Sequence, residues 1–131
     1  MREILFRGKT RGGVWYHGFV KGKSLPNKEG NKMEFTPCII EQTHADIEVI
    51  PETVGQYTGL TDKNGNQIFE GDIVEYASDE EIGQIAYHES EAMFVVEFDT
   101  WLTDFDHMYG KDLEVIGNIH DNPELLKGGE G

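Results

Sequence analysis

QYTGLTDKNGNQIFEGDIV, running from Gln56 to Val74, is the stretch whose reading decides the fold. It sets a glycine-marked turn between two apolar-patterned segments and closes on Gly71-Asp72. Asn64-Gly65 is a dipeptide that tolerates positive φ, while Ile68-Phe69 and Ile73-Val74 supply the β-branched and aromatic residues that fit a pleated, half-buried surface. The pattern predicts a hairpin feeding a barrel strand. Glu70 and Asp72, two residues apart, fall on one strand face and repel unless solvated or engaged at a turn, so Asp72 is read as a turn-stabilising residue.

Towards the N-terminus, Glu3 to Arg7 and Val14 to Val20 predict a first hairpin, joined through Lys9 to Gly13. Leu25 to Lys32 is a polar loop. Met33 to Glu41 follows as a strand in which Pro37 implies an edge position or a bulge, because proline cannot donate to a ladder. Ile47 to Ile50 is a short strand stopped by Pro51.

Towards the C-terminus, Ile68 to Tyr76, Ile82 to His88 and Met93 to Phe98 are consecutive strand candidates spaced as a small meander. Phe94, Val96 and Phe98 share one face and Met93 and Val95 the other, which predicts a third strand covered on both sides. From Thr100 to Lys111 the alternation breaks. There Trp101, Phe105 and Tyr109 recur at near-helical spacing, predicting a short helix or an irregular loop. Leu113 to Ile119 restores a strand. Asn122-Pro123-Glu124 is a helix-start sequence with Asn122 as cap, and Gly128, Gly129 and Gly131 make a frayed end. The fold expected is mainly β: an SH3-like small barrel with an N-terminal β layer and a short C-terminal helical turn. One domain is expected over residues 1–131, with 1–54 the N-terminal β portion, 55–127 the barrel and 128–131 the tail.

Three blocks of the chain carry a resemblance. The start MREILFR, the stretch from Gln56 to Val74 and the close LEVIGNIHDNPELL, Leu113 to Leu126, resemble the YopX family of phage and prophage proteins. The resemblance implies a small β-rich protein containing an SH3-like barrel, encoded by bacterial viruses or prophages, with no established biochemical activity. It brings no catalytic or ligand-binding residues with it.

Charge narrows the partners. The 131 residues carry 25 acidic and 11 basic side chains, a formal net charge of −14. Nucleic-acid binding draws affinity from cations that release counterions, so this balance argues against direct binding to a phosphate backbone. The carboxylates at Asp79-Glu80-Glu81, Glu89, Glu91, Asp99, Asp104 and Asp106 are read as a solubilising surface or as a face for a basic patch on a protein. Cys38 is the single cysteine, so no internal disulfide forms; it is read as a buried small hydrophobe in a reduced cytoplasm. No apolar run is long enough for a signal peptide or a membrane span, and a cytoplasmic protein of a bacterial host is expected.

No nucleophile constellation, phosphate loop or metal motif is present, and no cofactor or metal is expected. His17, His44, His88, His107 and His120 are scattered. Asp104, Asp106 and His107 form a tight polar cluster, yet a calcium loop needs more oxygen ligands in a fixed frame, and a solvated turn is the reading. Trp101 and Tyr109, in the least regular and most acidic segment, are the expected exposed contacts, with Asp99, Asp104 and Asp106 beside them.

The function expected is therefore that of a phage or prophage accessory protein: a non-enzymatic module binding a host or phage protein. One alternative is an acidic nucleic-acid mimic that inhibits a DNA-binding protein; another is an enzyme whose site assembles only in the fold. A single-strand-binding barrel fares worst, because stacking of about 1–3 kcal/mol per base works beside a cationic groove. Edge strands leave homo-oligomerisation open.

Overall fold

The computed structural model describes residues 4–40, 46–76, 81–99, 102–104 and 110–130. The chain is mainly β, with two antiparallel sheets. It divides into two compact units, Met1–Gln56 and Tyr57–Gly131.

In the first unit, β1 (Phe6–Lys9), β2 (Trp15–Pro26), β3 (Met33–Ile40), β4 (Asp46–Glu48) and the first residues of β5 (Gly55–Thr61) lie in the order β4-β3-β2-β1-β5. The β1–β2 turn is closed by Gly13, whose φ of 88° lies where a side chain is strained, and by its N–H donating to Thr10 O at 2.9 Å. Strand β2 does not stop at Val20. It continues to Pro26 because β3 pairs with it from Phe19↔Ile40 to Pro26↔Met33, and a full ladder outweighs the weak strand propensity of Gly22 to Ser24.

Pro37 lies where an edge was expected: β3 lies between β2 and β4, but among the described residues the β3–β4 ladder covers only Cys38 to Ile40, so at Pro37 the side away from β2 has no strand. Its carbonyl accepts the N–H of Val49, so its nitrogen points to the same side, just past the end of three-residue β4. The missing donor is thus turned away from β2, towards the side on which β3 has no paired strand, which is how the ladder tolerates the ring. Among the described residues of this unit Cys38, Ile39 and Val49 are the buried apolar side chains, in line with the reading of Cys38 as a small hydrophobe. A 3-10 turn, Pro51–Thr53, follows β4; the Thr53 hydroxyl accepts the N–H of Lys9 at 2.9 Å and donates to Ile50 O at 2.6 Å.

The second unit begins inside β5. Tyr57 pairs with Phe69 and Thr61 with Gln67 of β6 (Gln67–Phe69), around the expected Asn64-Gly65 turn, where Gly65 has φ 86°. Then β7 (Asp72–Tyr76), β8 (Glu81–His88), β9 (Met93–Phe98), β10 (Leu102–Asp104) and β11 (Leu113–Asn118) form a five-stranded sheet ordered β10-β9-β8-β7-β11. Ile68, Val74, Ile85, Val96, Phe98 and Leu113 make its core, flanked by Tyr76, Phe94 and Val115. Val95 and Val96 are 2% and 0% exposed, so β9 is covered on both faces as its sequence predicts. Ile85 and Tyr87 share a face, but only Ile85 reaches the core; Tyr87, near the strand end, sits edge-on to Phe94 at 5.2 Å.

Among the described residues β10 and β11 are not paired with each other, so no closed barrel is found; three-residue β10 pairs there with β9. Two expectations need correction. Leu102–Asp104, read as helix or irregular loop, is this strand, because its ladder with Val95 to Glu97 overrides the aromatic spacing around it. Asn122 does not cap with its side chain. Its Oδ1 accepts the N–H of Asn118 at 3.3 Å, and its backbone carbonyl starts the 3-10 turn Pro123–Glu130 by accepting from Leu125 at 3.0 Å.

Among the described residues no helix is long and apolar enough to cross a membrane.

Candidate functional site

Charge is divided between the two units. Residues 1–56 hold eight basic and seven acidic side chains, a net of +1, and residues 57–131 hold three basic and 18 acidic, a net of −15. The second unit therefore carries the acidity of the chain.

On its sheet, antiparallel register places Ile73 opposite Gln84, Gln84 opposite Glu97 and Glu97 opposite Leu102. Opposed residues point to the same side, so these four form a row across β7 to β10, on the face opposite to Val74 and Ile85. Ile73 is buried, and the row becomes exposed towards Leu102, which is 53% accessible. Here the sheet carries a groove of about 470 Å³ lined by Ile82, Gln84, Glu97, Phe98, Asp99, Leu102 and Leu126. Leu126 reaches it from the C-terminal 3-10 turn.

Glu97 is fixed from two directions. Gln84 Nε2 donates to its Oε1 at 3.2 Å, and His88 Nε2 lies 2.7 Å from Oε2. A carboxylate only accepts, so the second bond requires the ring form with its proton on Nε2. The other ring nitrogen, Nδ1, is 4.0 Å from Glu91. The result is an oriented anion in a partly apolar groove that the exposed Asp99 also lines. This arrangement accepts hydrogen bonds and attracts cations. Among the described residues no three His, Cys, Asp or Glu side chains gather as a metal-binding set.

A second polar centre is structural. Asp62, 4% exposed, accepts the N–H groups of Asn64 at 2.9 Å, Asn66 at 2.8 Å and Val115 at 2.9 Å, and the Asn66 side-chain amide at 3.3 Å. Burial pushes its pKa up, but the N–H groups of Val115, Asn66 and Asn64 together outweigh burial and hold it below the ordinary 3.8. Asp72 has the role expected of it at the next turn: 2% exposed, it accepts the N–H of Phe69 at 2.7 Å, across Gly71 with φ 92°.

Of the contacts expected from sequence, Asp99 is exposed and lines the groove, while Asp104 is half-buried on β10 opposite Val95 and is not part of the groove. Trp101, Asp106 and Tyr109 lie outside the described residues. Sequence reasoning missed Gln84, His88, Glu97, Leu102 and Leu126. Period-two alternation separates Gln84 and Glu97 from the core residues beside them, so the signal was there; their opposition depends on the register between strands.

A two-unit, mainly β protein with an open five-stranded sheet and an acidic groove is the class these features define. The chain matches the YopX protein family over residues 6–127, and it belongs to that family. It is also similar to protein EF1440 from Enterococcus faecalis, whose crystal structure shares 29% sequence identity over 96% of this chain and 99% of that one, with a TM-score of 0.57. No curated protein matches it.

Proposed function

We propose that this chain is a non-enzymatic protein-binding module whose second unit takes, in the Glu97–Leu102 groove, a partner segment presenting a basic side chain beside an apolar one. The observation that carries this reading is the meeting of exposed Leu102 and Leu126 with Glu97 and Asp99 on a unit of net charge −15. Apolar anchors supply affinity and surrounding carboxylates select a partner of opposite sign.

The finer fold reading belongs here too: the five strands β7 to β11 curl in the SH3-like manner. A meander of four strands, a 3-10 turn at Gly110–Asp112 before the fifth, and the return of the fifth to pair with the first support it. Membership of a family resembling phage and prophage proteins supports an accessory role in the cytoplasm of a bacterial host. A second reading, mimicry of nucleic acid, draws on the same concentration of carboxylates.

Binding of fluorescein-labelled peptides that alternate arginine and leucine, with glutamate-leucine peptides as controls, tests the proposal. The arginine peptides bind; Asp99→Lys and Leu102→Ser each weaken them about tenfold while melting at the wild-type temperature. Equal binding of acidic peptides, or unchanged binding in both variants, overturns it. Capture of a DNA-binding protein that added duplex DNA releases, with the groove variants capturing it as well as wild type, would instead establish mimicry.

A further inference from the structure

The acidity of the chain as a whole argues against nucleic acid, yet that acidity resides in residues 57–131. We propose that the face of the β1–β2 hairpin carrying Arg7, Lys9, Trp15, His17 and Phe19 binds single-stranded nucleic acid.

Register sets up this face. Arg7 lies opposite His17 and Lys9 opposite Trp15, and Phe19 is the next same-side residue along β2. Two cations on β1 therefore face a row of rings on β2 across one surface, with about 7 Å between successive same-side residues of a strand. The Arg7 guanidinium lies 4.9 Å above the Trp15 ring, a stacked pair of the kind that also receives a base. His17 is exposed, and Phe19 is 66% exposed, a large ring held in water. The next residue on this face, Lys21, pairs with Asp46 at 3.2 Å.

Charge complementarity commits the occupant. At physiological salt a charge is felt over about 8 Å, so a phosphate on this face responds to the cations beside it more than to the net charge of the chain. Exposed rings beside cations offer stacking, which an unpaired base accepts and a base inside a duplex does not. A single strand fits both properties.

The test is fluorescence anisotropy of a labelled oligothymidylate of about 12 nucleotides with the full chain, in salt rising from about 50 to about 200 mM. Wild type binds at the low end and weakens as salt rises. Phe19→Ala and His17→Ala, both at exposed positions, each lower affinity about fivefold or more, and Lys9→Gln flattens the salt dependence. Leu102→Ser, in the groove of the other unit, leaves this binding unchanged, so the two proposals fail separately. No binding at low salt overturns the inference. Wild-type affinity in both ring variants, or equal affinity for heparin or for a duplex of the same length, reduces it to general attraction for polyanions and overturns it as well.

Discussion

The carboxylate of Asp62 accepts the backbone N–H of Val115 at 2.9 Å, joining a turn residue to a strand residue 53 positions further along the chain. The same carboxylate holds the turn itself through Asn64 and Asn66. One side chain thus sets the local shape of the β5–β6 hairpin and fastens β11 to it.

Removing that carboxylate leaves several backbone donors without an acceptor. Asp62→Ala is expected to lower stability by about 3 kcal/mol, because each buried unsatisfied donor costs about 1–3 kcal/mol and water reaches some of them. Asp62→Asn keeps one side-chain oxygen and loses roughly half as much. Urea unfolding followed by circular dichroism measures both, and a loss under about 1 kcal/mol for alanine would refute the assignment.

The same group makes stability depend on pH in a definite direction. Its folded pKa lies below the ordinary 3.8 of the unfolded chain, so its contribution is fully present well above 3.8 and is lost as pH falls through the folded value. The urea midpoint of wild type should therefore fall on acidification below about pH 5, and that of Asp62→Asn should fall less over the same range. Parallel curves would show that Asp62 is not the group responsible.

Gly83 is expected to reject even a methyl group. A Cβ there meets Glu97 O at 2.7 Å and the Phe98 ring at 2.9 Å, and backbone cannot move aside as a flexible side chain does. Gly83→Ala should destabilise by about 1–3 kcal/mol through overpacking. Gly65→Ala meets nothing within 4 Å, and its cost, about 1–2 kcal/mol, comes from a φ of 86° alone. Gly65→Asn, which tolerates that φ, separates the two causes: it should recover most of the Gly65 loss in a thermal melt.

Cys38 is 1% exposed, so a thiol reagent should modify it only as fast as the first unit opens. Labelling with an aromatic disulfide should be slow in buffer and rapid in denaturant. Immediate labelling of the native protein would place the thiol at the surface.

Much of the strand inventory was legible in the sequence, because Ile68, Val74, Ile85 and Val96 sit on period-two patterns and Asn64-Gly65 has few alternatives to a tight turn. What escaped depends on partners. Gly22 to Ser24 have no intrinsic preference for strand and become one by pairing with Phe35 to Pro37. Leu102–Asp104 is a strand by virtue of β9. The groove was hidden for the same reason: Glu97 meets Gln84, His88 and Leu102 only once three strands are in register. Asp62 left a local trace, since Asp ahead of Asn-Gly favours hydrogen bonds to the backbone just beyond it, but nothing local announces Val115.

The order β10-β9-β8-β7-β11 has a consequence for biosynthesis. Strands β7 to β10 find their neighbours in the order in which the ribosome releases them, whereas the outer side of β7 waits for Leu113–Asn118. Until that segment emerges, the nascent chain presents a row of unpaired donors and acceptors along Asp72–Tyr76, the kind of template on which chains stick to one another. A ribosome stalled before Leu113 would thus release a product prone to aggregation rather than a working half-sheet, and the final strand acts as the step that makes the newborn molecule safe to its neighbours.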